Sequence, residues 1–297
     1  MAVSRRDFLA GAAASAASLG FVESVLAMKK AAPKMRLGVC DWSIGARGDV
    51  KSMSMAAEMG LEGVQISPSA PAATLSYATP KAQQAYKAAS KKTGMAVASV
   101  GLTVTNGCPL ATDDRGVAWL EQTIDAAAAL GCRATLIAFF GKGSLQGRDK
   151  KLKAKDVDAV VEKLKAVAGR AKAKGVALGL ENTLSGRDNL KIIERVGSDA
   201  VQVYYDIANS TAGGYDVPAE IRMLKGRICE IHLKERKGLL GKGQVKVEPI
   251  AKAVAQTGYG GWLILERAQG KKWAEKKAYL MANAAYARKV FGLSRPG

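Results

Sequence analysis

Histidine is almost missing from this sequence: one imidazole, His232, serves 297 residues. A zinc cluster built from several histidines is therefore excluded, along with the chemistry that needs one. Cysteine is scarce too. Cys40, Cys108, Cys132 and Cys229 show neither a short metal-ligating spacing nor a mini-protein disulfide framework, so free thiols are expected. A Cys40–Cys229 bridge stays open. Walker-type phosphate-loop spacing is absent, and the glycines of the basic stretch GLLGKGQV (238–245) are read as shaping a turn. Beyond the first 27 residues, no apolar run approaches the roughly 20 residues that a membrane helix needs, so no stable membrane span is expected.

Negative charge is also in short supply. Lysine and arginine outnumber aspartate and glutamate 45 to 26, which leaves a formal charge of +19. Such a surface could attract nucleic acid, anionic lipid or cell-wall polymer. The lysines, however, are spread along helical patterns such as 150–174 without interleaved aromatics. That describes a solvated helix face, and no nucleic-acid partner is expected.

The N-terminus MAVSRRDFLAGAAASAASLGFVESVLA combines a charged start, a small-residue apolar run and a Val25-x-Ala27 cleavage pattern, which reads as an export signal. Ser4-Arg5-Arg6-Asp7-Phe8-Leu9 adds the twin-arginine signature. The expected organisation is a signal peptide at 1–27, a linker at 28–34 and one domain at 35–297. The mature protein is expected in the periplasm or otherwise exported, with the twin-arginine export machinery as a partner. That route carries folded proteins, so a cofactor can be loaded before export.

From residue 35 onward, a short β-branched or apolar run alternates eight times with an Ala/Lys-rich helical segment. The expected strands are 35–41, 63–67, 96–103, 133–140, 176–182, 201–207, 227–235 and 261–266. Helices are expected near 50–60, 80–93, 114–130, 155–174, 187–196, 217–225, 247–257 and 272–290. Strict alternation demands parallel strands, and eight units close most naturally into a (β/α)8 TIM barrel, with an open doubly wound sheet as runner-up. In such a barrel, chemistry sits where strands end and βα-loops begin.

Four polar side chains occupy that place on four successive strands: Glu181, Asp206, His232 and Glu266. Any one of them alone reads as a helix cap, a salt-bridge partner or a satisfied core residue. Together, three carboxylates and an imidazole converging in an apolar barrel repel one another unless a cation sits between them. One divalent metal ion is the simplest remedy. With no thiolate in the set, Mn²⁺ is the first choice, with Mg²⁺, Co²⁺ and Zn²⁺ as alternatives.

These residues carry a resemblance. The chain resembles the sugar phosphate isomerase/epimerase family of xylose isomerase-like TIM barrels over roughly 35–290, most specifically in L-E-N at 180–182, Y-D-I-A-N at 205–209, I-H-L-K-E at 231–235 with G-K-G at 241–243, and L-E at 265–266. The resemblance implies that Glu181, Asp206, His232 and Glu266 hold one divalent metal and that Glu181 and Glu266 form the acid/base pair. Asn209 stands where many members place a histidine, and Arg236 is the arginine available after the strand-seven histidine; both are candidate substrate contacts. Lys234 shares a strand face with Glu230 and His232, nearest the mouth, where it could hold a substrate oxygen or pair with an acid. Trp42 and Phe140 are candidate pocket walls, and Gln65 is a candidate for hydroxyl recognition.

The expected reaction is epimerisation or isomerisation of a keto-sugar through a metal-stabilised enediolate, with one glutamate removing a proton and the other returning it. Elimination through the same enediolate, by a lyase or dehydratase, is the alternative within catalysis. A non-catalytic carbohydrate-binding barrel is the alternative outside it. The apurinic-endonuclease branch of the superfamily needs several histidines and is excluded. Export favours an unphosphorylated keto-sugar or oxidised glycoside. The sequence leaves open which sugar is used and whether the chain forms a homo-oligomer.

Overall fold

The computed structural model describes residues 34–294, so the expected export signal and nearly all of the linker lie outside the described residues. Eight parallel strands close into one barrel in sequential order, with β8 pairing back onto β1. They are β1 (Arg36–Cys40), β2 (Gly63–Ile66), β3 (Ala96–Leu102), β4 (Ala134–Ala138), β5 (Ala177–Glu181), β6 (Val201–Asp206), β7 (Ile228–Leu233) and β8 (Trp262–Leu265). Each boundary falls within two residues of the sequence-based range. The doubly wound alternative is thereby corrected: the sheet has no open edge.

Alternation along each strand divides the barrel into two faces. Leu37, Val39, Val64, Ile66, Leu178 and Leu180 point outward and are buried against the surrounding helices in one continuous core. Burying each such side chain contributes about 1.5–3 kcal/mol, so the ring of helices and the barrel stabilise one another. The inward face is tighter and more polar. Gly63 lies there because a Cβ would meet the Trp262 ring at 2.5 Å, and Gly179 because a Cβ would meet Cys229 Sγ at 2.6 Å.

The helices follow the expected order: α1 (Ser52–Ala57), α2 (Pro80–Thr93), α3 (Gly116–Ala129), α4 (Ala154–Ala173), α5 (Gly186–Val196), α6 (Ile207–Gly213), α7 (Val217–Leu224), α8 (Val247–Gln256) and α9 (Trp273–Phe291). Local chemistry fixes several ends. Thr79 and Ser185 accept from the first-turn N–H groups of α2 and α5, and Gly94 and Gly197 end those helices in the left-handed conformation. The short α6 is an addition to the eight helices expected from the sequence. Its start is dictated by Asp206, the last residue of β6.

Two register shifts shape the interior. Between Val64 and Gln65 the β3 partner advances from Val97 to Ser99, and between Val203 and Tyr204 the β7 partner advances from Ile228 to Glu230. Ser99 and Glu230 thereby meet across the barrel, with Ser99 Oγ donating to Glu230 Oε2 at 2.7 Å.

Candidate metal centre

Glu181 ends β5, Asp206 ends β6, His232 lies late in β7 and Glu266 follows β8, so the barrel delivers all four to one rim. One ligand-capable atom from each falls within 4.8 Å of the others. His232 Nδ1 faces the three carboxylates, at 3.0 Å from Glu181 Oε1, 3.4 Å from Glu266 Oε2 and 3.8 Å from Asp206 Oδ2. That spacing suits four ligands about one ion.

The two readings of Asp206, helix cap and ligand, are both satisfied because each takes one oxygen. Oδ1 accepts from the N–H groups of Ala208 and Asn209, both at 2.8 Å, and starts α6. Oδ2 is buried without a directed hydrogen bond. The Lys234 ammonium lies 2.6 Å from it and also donates to Glu266 Oε2 at 2.6 Å. Three carboxylates and an imidazole nitrogen gathered at one point, with the Lys234 ammonium beside them, form a donor set that fits a divalent cation.

The environment separates the four groups electrostatically. Burial pushes Glu181 and Asp206 upward, opposed by His232 at Glu181 and by Lys234 at Asp206. Burial acts on Glu266 in the same sense, but Lys234 and His232 outweigh it and hold that carboxyl at about 2. Burial disfavours charge on His232, yet Glu181 and Glu266 prevail and raise it. Protons and an ion compete for Nδ1, so affinity is expected to rise with pH.

The ring is oriented from behind. Gln65 Oε1 lies 2.8 Å from His232 Nε2, and Tyr204 packs edge-on with ring centroids 4.6 Å apart. With the Gln65 oxygen toward the ring, Nε2 carries the proton and the Nδ1 lone pair is aimed at the rim.

Residues 53–284 match the family described as xylose isomerase-like TIM barrel. The chain belongs to that family. It is 33% identical over 150 residues to an L-ribulose 3-epimerase of Mesorhizobium japonicum (strain LMG 29417 / CECT 9101 / MAFF 303099), a match covering 44% of this chain and 50% of that protein. The chain therefore spans about half the length of this curated relative. Among solved structures, a D-psicose 3-epimerase studied in the presence of D-fructose superposes with a TM-score of 0.72 at 17% identity, covering 87% of this chain and 100% of that one. A structure of an L-ribulose 3-epimerase gives 0.70 at 23% identity, covering 87% and 95%. Identities this low establish a shared fold.

Within this family barrel, the remaining candidates divide. Trp42 reaches the centre, its Nε1 donating to Glu266 Oε1 at 3.2 Å. Lys234 is paired with acids, as described. Gln65 departs from its expected role: its side chain is fully buried behind His232, one layer below the mouth, so it touches the ring and not the open space. Asn209 is half-buried and contributes its backbone N–H to Asp206. Phe140 packs with Leu136, Ala138 and Tyr204. Arg236 is exposed, its backbone N–H bound by Glu235. The four cysteines are free.

Two buried acids that sequence reasoning passed over hold the surrounding loops. Asp41 accepts from Ser67 Oγ at 2.6 Å, Ser67 N at 2.8 Å and Gly48 N at 2.9 Å, tying together the loops after β1 and β2. Glu235 accepts from the N–H groups of Arg236 at 2.7 Å and Val245 at 3.0 Å, closing the loop after β7. Asp41 ends the first strand and Glu235 is the last letter of I-H-L-K-E, which were the available signals. A cavity of about 640 Å³ opens at the opposite end of the barrel among Arg36, Arg133, Tyr259 and Trp262. Its size does not make it the centre, because none of the four rim residues lines it.

Proposed function

We propose that the chain is a divalent-metal-dependent epimerase or isomerase of a keto-sugar. The observation that carries this reading is the convergence of Glu181, Asp206, His232 and Glu266 on one point at the loop-bearing end of the barrel. The epimerase names of the curated relative and of the structural neighbours agree with it. These four residues would hold the ion, Mn²⁺ by preference given the oxygen-rich set. Bound there, a divalent cation supplies the positive charge that makes a C–H next to a ketone acidic.

The chain's own groups account for the proton traffic. Glu266, with the Trp42 indole N–H fixing one of its oxygens, is placed to take a proton. Glu181, whose burial favours the protonated form, stands three strands away and is placed to return a proton on the other face. Removal on one face and return on the other inverts a stereocentre. We further propose that residues 1–27 direct export, supported by the Ser4–Leu9 pattern; recovery of mature protein from the periplasm, beginning near residue 28, is the corresponding test.

Deuterium exchange decides the catalytic reading. Incubated in D₂O with Mn²⁺ and a panel of ketoses, the protein should incorporate deuterium next to the carbonyl, and Glu266→Gln should lower the rate by roughly 10²-fold or more. Absence of exchange across the panel with Mn²⁺, Mg²⁺ and Co²⁺ each supplied would leave a binding barrel in its place.

A further inference from the structure

The rim around the four ligands is more basic than metal binding requires. Arg47, in the loop after β1, is exposed, and its guanidinium carbon sits 5.6 Å from the centroid of Trp42. Nη1 donates to Thr103 Oγ1 at 3.0 Å. Among the described residues, no carboxylate lies within salt-bridge distance of Arg47. By contrast, Arg115, Arg170 and Arg195 are each paired with an aspartate. Trp42 in turn donates to Glu266 and lies edge-on to His232 with centroids 6.1 Å apart. A forked cation that makes no salt bridge, with the buried Asp41 as the nearby acid that feels its charge, therefore stands one indole away from the candidate centre.

The flanking loops reinforce it. Residues 139–152 after β4 and residues 235–246 after β7 carry four lysines and arginines each, against one acid apiece, Asp149 and Glu235. Glu235 is buried with both oxygens engaged by loop N–H groups, so it offers no counter-charge to a ligand. Arg267, next to Glu266, is exposed as well. Since β4 stands across the barrel from β8, positive charge borders the mouth from opposite sides. Such a mouth concentrates anions, and a guanidinium matches a carboxylate, sulfate or phosphate with two parallel hydrogen bonds.

We propose that the keto-sugar accepted here carries a negative charge away from its reacting carbons, as a carboxylate, sulfate or phosphate, and that Arg47 binds that charge. The inference takes the keto-sugar from the epimerase reading above, but its test is read by binding. Titration calorimetry on the full chain loaded with Mn²⁺ would compare D-fructose, 2-keto-D-gluconate, D-fructose 6-sulfate and D-fructose 6-phosphate. At low salt, at least one charged ketose should bind about tenfold more tightly than D-fructose, as expected for charge-assisted hydrogen bonds. The advantage should shrink at about 0.5 M salt, and Arg47→Gln should bring the two affinities within about threefold. The arm that wins identifies the anion.

Equal affinities for charged and neutral ketoses would overturn the proposal. So would an advantage that survives Arg47→Gln, or binding of heparin without binding of any small charged ketose. If Arg47→Gln fails to fold by circular dichroism, Arg47→Lys and the salt series decide. Loss of the fork should cut the advantage severalfold, and a salt-independent preference would contradict the role of charge. Anion-selective binding without carbon-bound deuterium exchange would remove the epimerase reading and leave this one standing. Exchange with no preference for charge in binding would do the reverse.

Discussion

Gln65 Oε1 lies 2.8 Å from His232 Nε2 and 3.3 Å from the Cys40 thiol, so one amide oxygen collects two buried donors behind the candidate metal centre. The amide nitrogen of the same side chain is buried without a partner. An unpaired donor in the barrel interior is costly, and its retention points to the oxygen as the atom that matters. Its effect is to keep the proton on Nε2 and leave Nδ1 free to bind an ion.

Gln65→Leu removes that acceptor while also removing the unpaired nitrogen. We predict about 10–100-fold weaker Mn²⁺ affinity by titration calorimetry, with a melting temperature close to that of the parent protein. Unchanged affinity would show that the ring is oriented by something else.

Glu235 should act on the loop it closes and much less on the barrel. Glu235→Ala leaves the N–H groups of Arg236 and Val245 without their acceptor, at a cost of about 1–3 kcal/mol. Arg236 and Lys237 are both exposed trypsin targets within that loop. Faster tryptic cleavage after these two residues, before the chain as a whole becomes susceptible, is the expected result. Uniform acceleration at all sites would contradict a local role.

Glu230 gives a pH signature. Burial pushes its carboxyl from about 4.5 up to about 8, although Ser99 and Tyr204 both donate to Oε2 and oppose the rise. The folded chain thus keeps a proton that the unfolded chain sheds in the ordinary carboxylate range. Its contribution to stability is complete at low pH and is lost as the pH climbs from about 4.5 to about 8. Glu230→Gln retains an acceptor for both hydroxyls and has nothing to titrate. It should be more stable than the parent at pH 8 by about 1 kcal/mol or more, with the difference closing toward pH 5. Parallel curves of stability against pH would contradict this.

The sequence displayed the barrel and its four rim residues because both depend on a repeat. Each strand–helix unit brings the chain back to the same rim, so Glu181, Asp206, His232 and Glu266 could be found by their positions at strand ends. Depth within the barrel was not legible. Gln65 alternates inward as its strand requires, yet it lies one layer below the mouth and meets His232 instead of solvent. The Ser99–Glu230 contact depends on two register shifts that no residue type announces. The α6 helix was hidden because it is only seven residues long and takes its cap from a residue already read as a ligand. The bond from Trp42 to Glu266 joins residues that are 224 positions apart and meet only when β8 closes onto β1.

The most direct measurement is anomalous diffraction at the manganese edge from crystals grown with Mn²⁺. One ion per chain is predicted, with Glu181, Asp206 Oδ2, His232 Nδ1 and Glu266 around it. An ion bound elsewhere, or none at this rim at saturating Mn²⁺, would contradict the account.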